Sequence, residues 1–179
     1  MTVLPILIAP HPTLKAKAKP VKEVTDELRT LLDDMLETMY DAPGIGLAAN
    51  QIGSLERVLV MDCGSREDEE EPRPIKIINP VITGATEELS TYEEGCLSIP
   101  EQYAEVERPA AVRVQYLDEN GTKQERDFFG LEATCIQHEI DHLDGILFVD
   151  HLSNLKRNML MKKLKKLVKE REEEAASHV

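Results

Sequence analysis

No stretch of the chain approaches the roughly 20 consecutive apolar residues that a membrane span requires. The longest apolar run near the N-terminus, Val3 to Ala9, is broken by Pro5 and has no basic residue ahead of it and no A-x-A site after it. A secretory signal is therefore not expected. Cysteine is scarce: Cys63, Cys96 and Cys135 are an odd number at wide spacings, which argues against a disulfide framework and fits a metal ligand or buried thiols in a reducing compartment. Basic residues are few, 21 against 34 acids for a formal net charge of −13, and a body so acidic is a poor general binder of nucleic acid. There is no internal repeat and no linker of domain scale.

What remains is an ordinary globular composition, 41% hydrophobic and 31% charged over 179 residues. A chain of this length reads as one domain that buries about 70% of its unfolded surface. Charge is unevenly placed. Residues 156 to 171 hold eight basic side chains and one acid, Glu170, a local +7 against −20 elsewhere. Such a face is most simply solvated, although it can also touch phosphate. The acidic run Glu67 to Glu71 reads as a solvated loop, and Cys63, ending an apolar strand, as inert filling.

Thr25 is an expected N-cap, followed by Leu28, Leu31, Leu32, Met35, Leu36 and Met39 at helical spacing, with the helix ending by Asp41 ahead of Pro43. Arg57 to Asp62 and Ile75 to Ile82 read as strands, Pro80 marking an edge or an irregularity. Ala111 to Leu117 and Thr122 to Phe129 read as a hairpin about Asn120-Gly121. Leu131 to His142 is helical, and Leu152, Leu155, Met159, Leu164, Leu167 and Val168 mark a second long amphipathic helix. Mostly antiparallel sheet with helices set against it, an α+β fold, is the expected architecture.

The chemistry concentrates in His138-Glu139-Ile140-Asp141-His142, an HExxH segment. Two histidines four residues apart sit about 40° apart around a helix axis, so both rings can reach one metal ion while Glu139 points to its rim. A catalytic site of this kind needs a third protein ligand and an open position. Downstream the candidates are Asp144, Asp150 and His151; upstream, Cys96 in Glu94-Gly95-Cys96-Leu97-Ser98 offers a thiolate. Asp141 either orients a ligand histidine or makes a structural salt link.

Three segments taken together, Gly44 to Gln51 (GIGLAANQ), Glu94 to Ser98 (EGCLS) and Gln137 to His142 (QHEIDH), resemble the signature motifs of the peptide deformylase family, in the family's order and at similar separations. The likeness continues through Ile99-Pro100-Glu101-Gln102 and covers residues 1–155, the catalytic part. Residues 156–179, a basic amphipathic helix and acidic tail, belong to the same single domain. The resemblance implies a fold of antiparallel sheets around a central HExxH helix. It also implies an enzyme that removes the formyl group from the N-terminal methionine of new polypeptides, with a metal held by Cys96, His138 and His142. That metal is typically Fe(II) in the family; Zn(II), Ni(II) and Co(II) suit the same donors.

Hydrolysis of a formamide needs an activated water, oxyanion stabilisation and a proton for the departing amine. Glu139 suits the proton shuttle, and the Gln51 side-chain amide and the Leu97 backbone N–H match the family's oxyanion donors. Matching the motifs places Ile45, Leu131, Thr134, Cys135 and the ring of His138 around the methionine side chain. Gly46 and Gly95 fall where backbone groups pair with an extended peptide. Two residues depart from the pattern: Thr134, where the family often has a larger aliphatic residue, and Tyr103, where some members have arginine. The family's C-terminal helix is associated with the ribosome, so truncation after Leu155 is expected to spare hydrolysis of small peptides. A monomer in the bacterial cytoplasm is expected. A zincin-like protease would want a downstream third ligand in a known pattern, and a structural-zinc module a fourth protein ligand.

Overall fold

The computed structural model describes residues 1–64 and 71–178, so most of the acidic run, Glu67 to Glu70, lies outside the described residues. The architecture is α+β. Helix α1 spans Asp26–Asp41, capped by the Thr25 hydroxyl accepting from the Leu28 N–H at 3.2 Å. Strands β1 (Gly46–Ala48), β2 (Val58–Met61), β3 (Ile75–Ala85), β6 (Ala111–Leu117) and β7 (Lys123–Phe129) form one antiparallel sheet in the order β1-β2-β3-β6-β7. Strands β4 (Leu89–Cys96) and β5 (Ile99–Pro109) pair separately as an antiparallel ribbon. Helix α2 spans Gly130–Leu143 and helix α3 Asn154–Ser177.

The unbroken apolar run of β2 reflects burial on both sides. Leu59 and Met61 face a core shared with Ile77, Val114, Phe128 and the α2 residues Ala133, Ile136 and Ile140. Val58 and Val60 face the opposite core, with Leu28, Leu32, Met35 and Met39 of α1. A third core joins Ile99 and Val106 of β5 to Leu147, Phe148, Val149 and the α3 residues Leu160 and Leu164.

Pro80 marks an irregularity rather than an edge. Strand β3 lies between β2 and β6, runs on to Ala85, and shifts register between Ile78 and Val81 beside Asn79, whose φ is +52°. A bulge places the proline where no ladder N–H is required. The β6–β7 hairpin has the expected pairing, Leu117 opposite Lys123 and Ala111 opposite Phe129. Helix α3 starts later than its leucine pattern suggests: Ser153 is the N-cap, so Leu152 precedes the helix, and Leu155 is 80% exposed.

Candidate active site

The ribbon delivers a thiol to the helix. Strand β4 ends at Cys96 and reverses through Leu97 and Ser98 into β5, bringing Cys96 Sγ to 3.3 Å from His142 Nε2. One turn along α2, His138 Nε2 lies 3.2 Å from His142 Nε2. These three ligand atoms all fall within 4.8 Å of one another. The downstream alternatives are engaged elsewhere: Asp144 pairs with Arg57, Asp150 with Lys15, and His151 with Asp141.

A buried carboxylate fixes one of the rings. Glu94 Oε1 lies 2.9 Å from His138 Nδ1, and Arg108 grips the same carboxylate twice, Nε to Oε2 at 2.7 Å and Nη2 to Oε1 at 2.9 Å. Burial alone would raise the Glu94 pKa; the bonds from His138 and Arg108 outweigh it and hold the group below the usual carboxylate range. Arg108 reaches Asp141 Oδ2 at 2.8 Å with its remaining arm, and His151 Nε2 meets the same oxygen at 2.7 Å. The Asp141 carboxylate therefore makes a salt link and accepts no bond from His138 or His142. Neither Glu94 nor Arg108 was singled out from the sequence for this task. A signal existed: in β5 the residues Glu101, Tyr103, Glu105 and Glu107 face out while Gln102, Val106 and Arg108 are buried, so alternation alone turns an arginine inward, where it needs acidic partners.

Burial lowers the His138 pKa, but hydrogen bonds to Cys96 and Glu94 overcome it and hold the ring well above the usual histidine range. Burial and the neighbouring His138 hold His142 well below that range. Burial also pushes Glu139 up to about 7 against the attraction of His138, and Glu139 Oε2 has no hydrogen-bond partner among the described residues. A cation at the three ligand atoms would favour the ionised carboxylate again.

Gln51 is held at both ends of its amide. Its Oε1 accepts from the Ala48 N–H at 3.0 Å, which turns the NH2 group toward Ser98 Oγ at 3.1 Å and Cys96 Sγ at 3.6 Å. The amide ties its own turn together and still aims donors at the thiol.

These groups stand at a cleft of about 560 Å³. Gln51, Cys96, Leu97, His138 and Glu139 line it, as do Ile45, Gly46, Gly95, Leu131, Thr134 and Cys135, with Tyr103 at 61% exposure. His142 does not line it; fully buried, it meets the others from behind. Gly46 is needed for space: a Cβ there would lie 2.7 Å from Glu139 Oε1 and 2.9 Å from Cys135 Sγ. At Gly95 a Cβ would meet the Tyr103 ring at 2.6 Å.

An HExxH helix joined by a thiol from a neighbouring ribbon, with a buried carboxylate beside the group and a cleft above it, defines a hydrolase with a potential metal site. The family pattern described as polypeptide deformylase matches residues 3–158. A peptide deformylase of Mesorhizobium japonicum is 58% identical over 171 residues, covering 96% of each chain, and one from Phenylobacterium zucineum is 56% identical over 94% of this chain and 99% of its own. Among solved structures, a peptide deformylase from Legionella pneumophila superposes with a TM-score of 0.88 at 44% identity, covering 95% of this chain and 98% of that one. One from Ehrlichia chaffeensis in complex with actinonin gives 0.88 at 41% identity, over 93% and 98%. The chain belongs to the peptide deformylase family of enzymes.

Proposed function

We propose that the protein is a metal-dependent hydrolase that removes the N-formyl group from the formyl-methionine of newly made polypeptides and releases formate. The observation carrying this reading is the convergence of Cys96 Sγ, His138 Nε2 and His142 Nε2 within 4.8 Å beside the unpartnered Glu139 Oε2, on a peptide-sized cleft. The donor set suits a borderline divalent ion: one thiolate, two imidazoles and no fourth protein ligand among the described residues. Glu94 can only accept, so it favours the His138 tautomer with its proton on Nδ1 and a lone pair on Nε2, the form a ligand must take. Fe(II) is the ion we assign, with Zn(II), Ni(II) and Co(II) as substitutes. When bound, such an ion supplies Lewis acidity that brings the pKa of water toward neutrality.

The remaining steps belong to the chain. Glu139 takes a proton from the attacking water at Oε2 and delivers it to the departing amine. The Gln51 NH2 group and the Leu97 N–H donate to the oxygen of the tetrahedral intermediate. Ile45, Leu131, Thr134 and Cys135 enclose the methionine side chain. Strand β1 is the outermost strand of its sheet among the described residues, so its outer edge at Gly46, with Gly95 on the ribbon, can pair with an extended peptide. Residues 1–155 carry the chemistry; residues 156–179 continue the same domain, and the exposed lysines of α3 face the ribosome from which substrates emerge. The protein acts as a monomer in the bacterial cytoplasm.

The test is formate release from a formyl-Met tripeptide by protein purified without oxygen and loaded with Fe(II). Turnover at an enzyme-like rate is expected; no release from fully metallated protein would overturn the proposal.

A further inference from the structure

The side-chain wall of the cleft carries a polar atom that the reaction does not use. Thr134 lies on the cleft-facing side of α2, three residues after Leu131 and one turn before His138, and is only 6% exposed. Its hydroxyl makes no hydrogen bond among the described residues, although a helical threonine can bond the carbonyl four residues back, as Thr38 does to Asp34 at 2.6 Å. Nor is the hydroxyl sealed in the protein among the buried polar atoms that lack partners. The cleft is the space that Thr134 lines. The other polar groups of this wall are occupied: Cys135 Sγ donates to the Ile45 carbonyl at 3.6 Å, and His138 has Nδ1 on Glu94 with Nε2 in the ligand group. Thr134 is thus the one uncommitted hydrogen-bonding side chain among the residues assigned to the methionine pocket.

A thioether is a feeble acceptor, so methionine seated on this wall covers the Thr134 hydroxyl without replacing the water it displaces. An oxygen on the sulfur reverses that balance. We propose that Thr134 adapts the pocket to formyl-methionine sulfoxide, so that the substrate class extends to chains whose initiator methionine is already oxidised, the hydroxyl donating to the sulfoxide oxygen. The inference rests on the deformylase reading and concerns the same pocket. Oxidation makes methionine polar, and an all-aliphatic wall would reject it because the sulfoxide oxygen would be buried without a donor. With the donor present, discrimination shrinks to the misfit of one extra atom.

The test compares formate release from formyl-Met and formyl-Met-sulfoxide versions of one tripeptide, each sulfoxide epimer separately, by the metal-loaded wild type, Thr134→Val and Thr134→Ser. Valine matches threonine in shape and lacks the hydroxyl; serine keeps it. For the wild type, kcat/KM for the better sulfoxide epimer is expected within about 10-fold of that for formyl-Met, since one extra atom in a pocket is weakly discriminated. In T134V that ratio should widen by a further 10-fold or more, with formyl-Met turnover rising, and in T134S the ratio should stay near that of the wild type. A ratio unmoved by valine, or a wild type that discriminates by more than about 100-fold, would overturn the proposal while leaving the deformylase reading intact. Release from neither peptide by metallated wild type would overturn both.

Discussion

At the scale of single residues, three positions separate chemistry from scaffolding. Glu139 stands beside the ligand group, its Oε1 3.9 Å from His138 Nε2, but outside the three ligand positions, so Glu139→Gln should keep the bound metal and lose about 100- to 10,000-fold in kcat, the span typical of a missing general base. Metal analysis of the purified variant beside its formate-release rate checks this; loss of metal along with activity would make Glu139 part of the ion's support. If the Gln51 amide serves the oxyanion as proposed, Gln51→Ala should cost on the order of 100–1,000-fold in kcat. Gly46 offers a different probe, because its Cβ would fall against Glu139 Oε1 and Cys135 Sγ, both anchored on α2. Gly46→Ala should shift the carboxylate and lower kcat on the order of 100-fold, as misplacing a catalytic group by about 1 Å does. A crystal structure or amide NMR spectrum with the fold unchanged would assign that loss to the site.

The elements show where sequence was legible and where it was not. The periodicity of α1 and the β6–β7 turn announce themselves because a local rule decides them: an N-cap and apolar spacing in one, Asn120-Gly121 in the other. The HExxH segment is equally local, since one helix fixes both imidazoles. The β4–β5 ribbon is not local in this sense. Its pairing carries the Cys96 thiol to the helix and buries Arg108 against Glu94, and neither follows from spacing along the chain. Helix α3 was half legible. Its helicity is plain, but its seam runs through Leu160 and Leu164, buried in the third core, while Leu155 and Met159 are exposed. Truncation after Leu155 would also take Leu160 and Leu164 out of the core they share with Leu147, Phe148 and Val149, so it changes packing along with charge. Reversing the charge of exposed Lys162, Lys163 and Lys166 tests the ribosome instead: binding should weaken and its salt dependence flatten, with small-peptide turnover retained. The ribbon-to-helix link has its own test in Arg108→Met, which leaves the buried Glu94 carboxylate without its cation and with His138 alone as partner, and leaves the half-buried Asp141 to His151. It should cost about 3–5 kcal/mol in urea unfolding. It should also loosen metal binding in chelator competition by about 10- to 100-fold, because the Glu94 carboxylate that orients His138 is itself held less firmly.

Across the whole molecule, Asp150 ties distant parts of the chain together. Its carboxylate meets Lys15 Nζ at 2.7 Å near the N-terminus, accepts the Leu147 N–H at 2.9 Å, and lies 3.6 Å from Arg157 in the first turns of α3. Burial alone would raise its pKa, yet the bonds from Lys15 and the Leu147 N–H, with the charges of Lys15 and Arg157, hold it below the usual aspartate range. The sign of the linkage follows. The unfolded chain takes up this proton first, at a pKa near 3.9, so the stabilisation is fully present above that value and is lost as pH falls through the lower folded value. Asp150→Asn removes the charge while keeping the shape and an acceptor for Leu147. Urea midpoints for wild type and variant at neutral pH and near pH 3.5 give a double difference in which other acid-sensitive groups, the Cys96 and histidine cluster included, cancel. The variant should be the less stable protein at neutral pH, and the gap should narrow on acidification. A gap of constant size would mean that Asp150 stabilises by its shape and its bond to Leu147 alone, leaving Lys15 and Arg157 as neighbours without energetic consequence.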